Sequence, residues 1–267
     1  MKPILTETSD PLTLENDVHY FSRKLDGYFA SYDVHNECFV SSAGNAFVTP
    51  DTHKLEKSFL SNLVLTGELV HRDGFQSTSV VRKTRGRPVW TGVTFHPFDL
   101  HTKGADYQWF QRYRDLLALC KELRPYQVSR GLADILPIIH KPFVPLDVRD
   151  QMSACREFNF EGLVFRNERT RLSDKSHGYK WKVTSDMEGE VVRHESGTGR
   201  CRQMSGASLV LRIRNPITGQ PSLVSVGSGL NDELRKNPPP LGYTVTFTYR
   251  GLSNEGIPQK PTFKQVR

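Results

Sequence analysis

The chain has 267 residues, with 36 lysines and arginines against 29 aspartates and glutamates, a net charge of +7, and 37% hydrophobic residues. That is enough for one large globular domain or two modest ones, and the excess of positive charge favours a polyanionic partner. No apolar run approaches the ~20 residues that span a bilayer, and the opening Lys2-Pro3-Ile4-Leu5 turns polar too soon for a secretion signal, so a cytoplasmic location is expected, or the host cytoplasm for a viral chain.

In chain order, residues 1–183 mix short strand-like runs with helix. Lys24-Leu25-Asp26-Gly27 places a lysine beside an acid and a tight glycine turn. The basic run Arg82-Lys83-Thr84-Arg85-Gly86-Arg87 reads either as a solvated loop or as a salt-sensitive contact to nucleic-acid phosphates through Arg82, Lys83, Arg85 and Arg87. From Asp106 to Leu123, Trp109, Phe110, Tyr113, Leu116, Leu117, Cys120 and Leu123 recur at spacings of three and four, which predicts a core-facing helix. Arg124-Pro125 is expected to end it. A shorter helix is predicted over Asp147–Glu157, leading into a strand at Glu161-Gly162-Leu163-Val164-Phe165.

After Thr184 the pattern changes to alternating strands broken by Gly, Asn and Pro. Leu209, Leu211 and Ile213 alternate with Val210, Arg212 and Arg214, and Val245, Phe247 and Tyr249 form a second such run. This segment suits a small β-barrel and divides the chain into domains at 1–184 and 185–267. Cys38, Cys120, Cys155 and Cys201 are scattered, without a Cys-x-x-Cys pair or zinc-like His spacing, so reduced thiols are expected. No heptad repeat asks for self-association, and a monomer without an obligate protein partner is the expectation.

A lysine amine is protonated near neutral pH and needs help to become a nucleophile. Desolvation or nearby cations supply it, and Arg23, Lys180 and Lys182 are candidates if the fold gathers them round Lys24. The same cations would neutralise a triphosphate, and Asp26, Glu68 and Glu161 are the carboxylates available for a metal ion or ribose hydroxyls. Taken singly, each residue also has a plain structural reading. Lys24 suits a solvated turn, Glu68 and Glu161 a polar strand face, and Phe98 a core position, while Lys180 and Lys182 share one face of any strand.

The ordered series decides between these readings. Lys24-Leu25-Asp26-Gly27, Leu65-Thr66-Gly67-Glu68-Leu69, Thr94-Phe95-His96-Pro97-Phe98-Asp99, Glu161-Gly162-Leu163-Val164-Phe165-Arg166 and Tyr179-Lys180-Trp181-Lys182 resemble the nucleotidyltransferase motifs of ATP-dependent DNA ligases. The tail, in Val226-Gly227-Ser228-Gly229-Leu230, Arg235-Lys236-Asn237-Pro238-Pro239-Pro240 and Pro258-Gln259-Lys260-Pro261-Thr262-Phe263, is similar to minimal viral and bacterial members.

The resemblance implies an α+β nucleotidyltransferase (adenylation) domain with mixed and antiparallel sheets, followed by an all-β OB-fold. It also implies ATP, Mg²⁺ or Mn²⁺, and nicked duplex DNA as partner. Lys24 would be the adenylated nucleophile, Glu68 would bind ribose, and Phe98 would stack on adenine. Lys180 and Lys182 would contact the α-phosphate, and Arg166 would assist nucleotide binding. Glu161 and Asp26 would hold the metal, Asp26 also helping the final 3′-hydroxyl attack, and Lys260 would contact nucleic acid. An RNA ligase, a capping-type nucleotidyltransferase and a ligase-derived binding protein without turnover remain alternatives. Against the family pattern, Phe29, Ser42 and Gln259 stand where arginines are usual, which removes bidentate phosphate contacts.

Overall fold

The computed structural model describes residues 2–74, 78–82, 89–158, 160–197 and 206–267. They form two compact units, Met1–Trp181 and Lys182–Arg267.

The first unit is built on two sheets. One has the order β1 (Thr6–Glu7), β9 (Tyr179–Lys182), β8 (Gly162–Arg166), β2 (Tyr20–Lys24) and β7 (Lys141–Pro142); β9 ends where the second unit begins. The other has the order β4 (Cys38–Val40), β3 (Tyr28–Asp33), β5 (Leu63–His71) and β6 (Val93–Thr102). β3 follows β2 after the Leu25-Asp26-Gly27 turn, so this tripeptide carries the chain from one sheet to the other. A Cβ on Gly27 would lie 2.5 Å from the Leu69 carbonyl oxygen, so only glycine lets the turn pass this close to β5.

Helix α1 (Trp109–Ser129) packs against the second sheet, where Trp109, Tyr113, Leu116, Cys120 and Leu123 join Phe39, Leu65, Trp90 and Phe95 in one core. The apolar stripe predicted for this helix holds with two exceptions. Phe110 is partly exposed and stacks on Tyr20, while Arg112 is buried. The exchange follows from Asp99 on β6, whose carboxylate accepts from Arg112 Nε at 2.9 Å and from Nη2 at 3.0 Å, with both side chains 2% exposed. Burial pushes the Asp99 carboxyl upward, but the Arg112 hydrogen bonds and the surrounding positive charge hold it below the usual carboxylate range.

The expected stop at Arg124-Pro125 does not occur, because α1 runs through Pro125 to Ser129. Interior proline costs a helix ~3 kcal/mol, and tertiary contacts on the last turn offset it. Gln127 donates from Nε2 to the Lys54 carbonyl, Tyr126 donates to Glu56 and packs on Phe59, and Arg124 forms a two-pronged pair with Asp134. Helix α2 (Pro145–Glu157) starts two residues before its expected position, with proline at its first turn, where a missing N–H costs nothing.

The second unit is a five-stranded sheet in the order β12 (Pro221–Val226), β11 (Ser208–Arg214), β10 (Ser185–Glu195), β13 (Thr244–Tyr249), β14 (Thr262–Val266), with the short helix α3 (Asp232–Lys236) between β12 and β13. A parallel bridge from Ser228 to Thr262 brings the two ends of the sheet together, as barrel closure requires. Gly229, at φ 84°, permits it, since a Cβ there would lie 2.5 Å from the Phe263 carbonyl oxygen. Arg235 on α3 donates to the carbonyls of Ala207, Gly227 and Leu230, so this arginine of the Arg-Lys-Asn-Pro segment serves as an internal clamp. Among the described residues no helix is long and apolar enough to cross a membrane, and Cys38, Cys120 and Cys155 are free thiols; Cys201 lies outside the described residues.

Replacing Arg112 by leucine strands the buried Asp99 carboxylate and should lower unfolding stability by about 3–5 kcal/mol. Urea unfolding of the purified variant measures this, and a loss below ~1 kcal/mol, the range of an ordinary surface change, would show that the pair does not anchor α1.

Candidate nucleotide site

The lysine of the Lys-x-Asp-Gly turn is positioned by strand register. β2 and β8 run antiparallel with Lys24 opposite Gly162, which sets Glu161 beside the lysine. Lys24 Nζ donates to Glu161 Oε2 at 2.6 Å, and the two side chains are 19% and 17% exposed. This partial burial keeps the pair from the solvent screening that makes surface ion pairs weak, and leaves the amine reachable. On β9, beside β8, Lys180 and Lys182 are both half-buried and share a strand face by alternation. Trp181 between them is buried under the Arg156 guanidinium of α2, 5.3 Å from its ring centre.

The second sheet contributes an acid and two aromatic rings. Glu68 on β5 is paired across the strand with Phe29 on β3 and His96 on β6. The β5–β6 register slips between Thr66 and Gly67, since Thr66 pairs with Asp99 and Gly67 with Pro97. Phe98 is therefore the extra residue of a β-bulge, a device that re-aims a side chain. Its ring packs on Phe29 at 6.2 Å, and both are nearly buried. Glu68 Oε2 is shielded from solvent and has no hydrogen-bond partner. Burial drives the Glu68 carboxyl up from 4.5 to about 7, against the pull of Lys24 and Lys2 and with the push of Glu161 and Asp26. These five charged groups thus share one electrostatic neighbourhood.

A cavity of about 330 Å³ lies along β2, lined among others by Ser22, Arg23, Leu25, His96, Ile138 and Gln151; Lys24, Glu68, Phe98 and Glu161 are not part of its lining. Arg23 donates to Gln151 Oε1 and lies over the Phe160 ring, so it is already engaged on the wall of this cavity.

The structure separates some of the expected site residues from this group. Arg166 stands at the far end of β8 opposite Tyr20, four residues along from the Lys24–Gly162 pair, or roughly 13 Å at ~3.3 Å per residue. It is buried, donates to the His177 carbonyl at 2.8 Å, and burial lowers its guanidinium to about 10. Arg82 is exposed with its guanidinium 5.7 Å from the Tyr28 ring, next to the Gly27 turn. Lys83, Arg85 and Arg87 lie outside the described residues. Lys260 belongs to the second unit, where it is exposed with a left-handed backbone at φ 50°. Of the three positions where arginine is replaced, Phe29 lines the site. Ser42 is exposed after β4, and Gln259 is bound into a turn of the second unit through Gly251 and Arg250.

Sequence reasoning missed Lys2, whose ammonium lies 5.6 Å from the Phe29 ring centre. It also missed that Asp99, adjacent to Phe98, is committed to Arg112. The paired Gly67 and Pro97 inside strands were the available sign of the bulge.

Residues 196–267 match the family model described as the DNA ligase OB-like domain. A curated DNA ligase from Haemophilus influenzae is 26% identical over 202 residues, covering 74% of this chain and 70% of the relative. A Lig E DNA ligase structure superposes with a TM-score of 0.76 at 20% identity over the full length of both chains. The fold is that of the ATP-dependent DNA ligases. Chlorella virus DNA ligase-adenylate (TM-score 0.52, 16% identity, 100% of this chain and 99% of that one) and the bacteriophage T7 ATP-dependent DNA ligase complexed with ATP (0.52, 13%, 98% and 97%) share it.

The shift at Glu68 makes a testable statement about stability. Below pH 4.5 the folded and unfolded states are both protonated, and between 4.5 and about 7 only the unfolded carboxyl ionises, so wild-type stability falls as pH rises through this window. Glu68→Gln escapes this loss. Its advantage over wild type should open between pH 4.5 and about 7, reach no more than about 3 kcal/mol and then stay flat. Urea titrations at pH 5, 6, 7 and 8 measure the gap, and a gap independent of pH would contradict the assignment.

Proposed function

We propose that the chain is an ATP-dependent polynucleotide ligase that seals 3′-hydroxyl/5′-phosphate nicks in duplex DNA, with residues 1–184 as adenylation domain and 185–267 as OB-fold domain. The observation that carries this reading is the half-buried Lys24–Glu161 pair, set among Lys2, Asp26 and a Glu68 oxygen that lacks a partner. The relatives named DNA ligase support it.

In this reading Lys24 Nζ, having lost its proton, attacks the α-phosphorus of ATP. A P–N bond forms and the bond to pyrophosphate breaks. Glu161 holds the lysine in place beforehand through the 2.6 Å contact, and the pair must part before the amine can reach a phosphorus atom. Lys180 and Lys182 supply positive charge to the phosphoryl oxygens. Glu68, with its unsatisfied oxygen, accepts from a ribose hydroxyl, and the Phe98–Phe29 pair offers an apolar surface to the base. The 5′-phosphate of a nick then displaces Lys24 from the AMP phosphorus. The 3′-hydroxyl finally attacks that 5′-phosphate and releases AMP, and Asp26, which is exposed, would assist this attack.

Mg²⁺ fits the donor set as the metal. Glu161 and Asp26 would hold it through hard carboxylate oxygens. Mg²⁺ commonly binds through one or two carboxylates, its other ligands being water and substrate phosphate. When bound, it would neutralise charge on the phosphoryl oxygens. The basic residues Arg82 and Lys260 suit sequence-independent phosphate contact in duplex DNA.

Incubation with ATP and Mg²⁺ should add one AMP to the intact mass of the wild-type chain and none to Lys24→Ala. Mass spectrometry reads this directly. An adduct that survives in Lys24→Ala, or wild type that forms none, would refute the assignment.

A further inference from the structure

We propose that Lys2 is a phosphate-binding residue of this site, holding either the phosphate chain of the nucleotide or the 5′-phosphate of the nick; the identity of the site rests on the ligase reading above. Its ammonium lies 5.6 Å from the centre of the Phe29 ring, opposite Glu68 across the β3–β5 pair. A ring face attracts a cation but accepts few of its hydrogen bonds. Among the described residues Lys2 forms no ion pair, which leaves the ammonium donors available to an anion. Phe29 packs on Phe98, so the ammonium is held at the edge of the surface proposed for the base. Lys2, like Lys24, pulls the Glu68 carboxyl downward against the effect of burial.

The position of Lys2 is built into the sheet. His177 N donates to the Ile4 carbonyl and Ile4 N donates to His177 Nδ1. Thr6 N and Thr8 N donate to the carbonyls of Gly178 and Lys180, which forms the parallel β1–β9 pairing. The segment carrying Lys2 is thus tied to the strand carrying Lys180 and Lys182. Lys2 and Lys24, on separate segments, both act on Glu68, which is paired across the strands with Phe29. An ammonium with free donors at the edge of an aromatic surface suits a ligand with phosphate oxygens better than a neutral one.

The test is equilibrium binding to the full chain, which needs no turnover. Four probes are compared in wild type, Lys2→Gln and Lys2→Arg: α,β-methylene-ATP, adenosine, and nicked duplex DNA bearing either a 5′-phosphate or a 5′-hydroxyl. Lys2→Gln should weaken binding of α,β-methylene-ATP or of the 5′-phosphate nick by about tenfold, leave adenosine and the 5′-hydroxyl nick unchanged, and be rescued by Lys2→Arg. Whichever phosphate probe responds identifies the source. Wild-type affinity of Lys2→Gln for both phosphate probes, or an equal loss for the probes without phosphate, would overturn the proposal. A chain that passes this test yet forms no lysyl adduct would sink the ligase reading and leave Lys2 as a phosphate ligand.

Discussion

The organisation of the site depends on one register, that of β2 against β8. Pairing Lys24 with Gly162 fixes Glu161 at 2.6 Å from the lysine amine, and a slip of one residue would send each side chain to the opposite face of the sheet. The register is held from the core side, where Phe21 and Phe165 face each other across the strands and are both fully buried. Apolar packing on one side of the strand pair thus sets the polar geometry at its end.

The second sheet answers with a different device. A bulge at Phe98 breaks the β5–β6 pairing, and consecutive residues then take separate tasks. Phe98 meets Phe29 near the site, whereas Asp99 turns into the core and secures α1 through Arg112. Glu68 shows the cost of such placement, because burial lifts its carboxyl to about 7 while one oxygen goes without a partner. A group that destabilises the free protein, and would gain a partner on binding, is the kind of local inconsistency that marks functional positions.

Much of this was legible in the sequence, for physical reasons. The α1 stripe, the alternating strands of the second unit and the α2–β8 junction are written in residue periodicity, and the gathering of Lys24, Glu68 and Glu161 was implied by motif order. What escaped was set by tertiary context. Pro125 reads as a stop, yet Gln127 and Tyr126 anchor the turn that follows it. Arg166 sits in a motif beside Glu161, but strand length carries it to the far end of β8, where it serves the core. Lys2 has no local pattern at all, since its place depends on parallel pairing with a strand about 170 residues away along the chain.

In the proposed reaction Lys24 carries AMP on the way to a sealed nick. The most direct test loads the chain with AMP labelled at the α-phosphate, removes free nucleotide, and adds a nicked DNA duplex in a single turnover while the label is followed. Label should leave Lys24, appear on the 5′ end of the nicked strand, and then be released as AMP while the strand becomes continuous. Label that stays on the protein, or strands that join while Lys24 keeps its AMP, would contradict it.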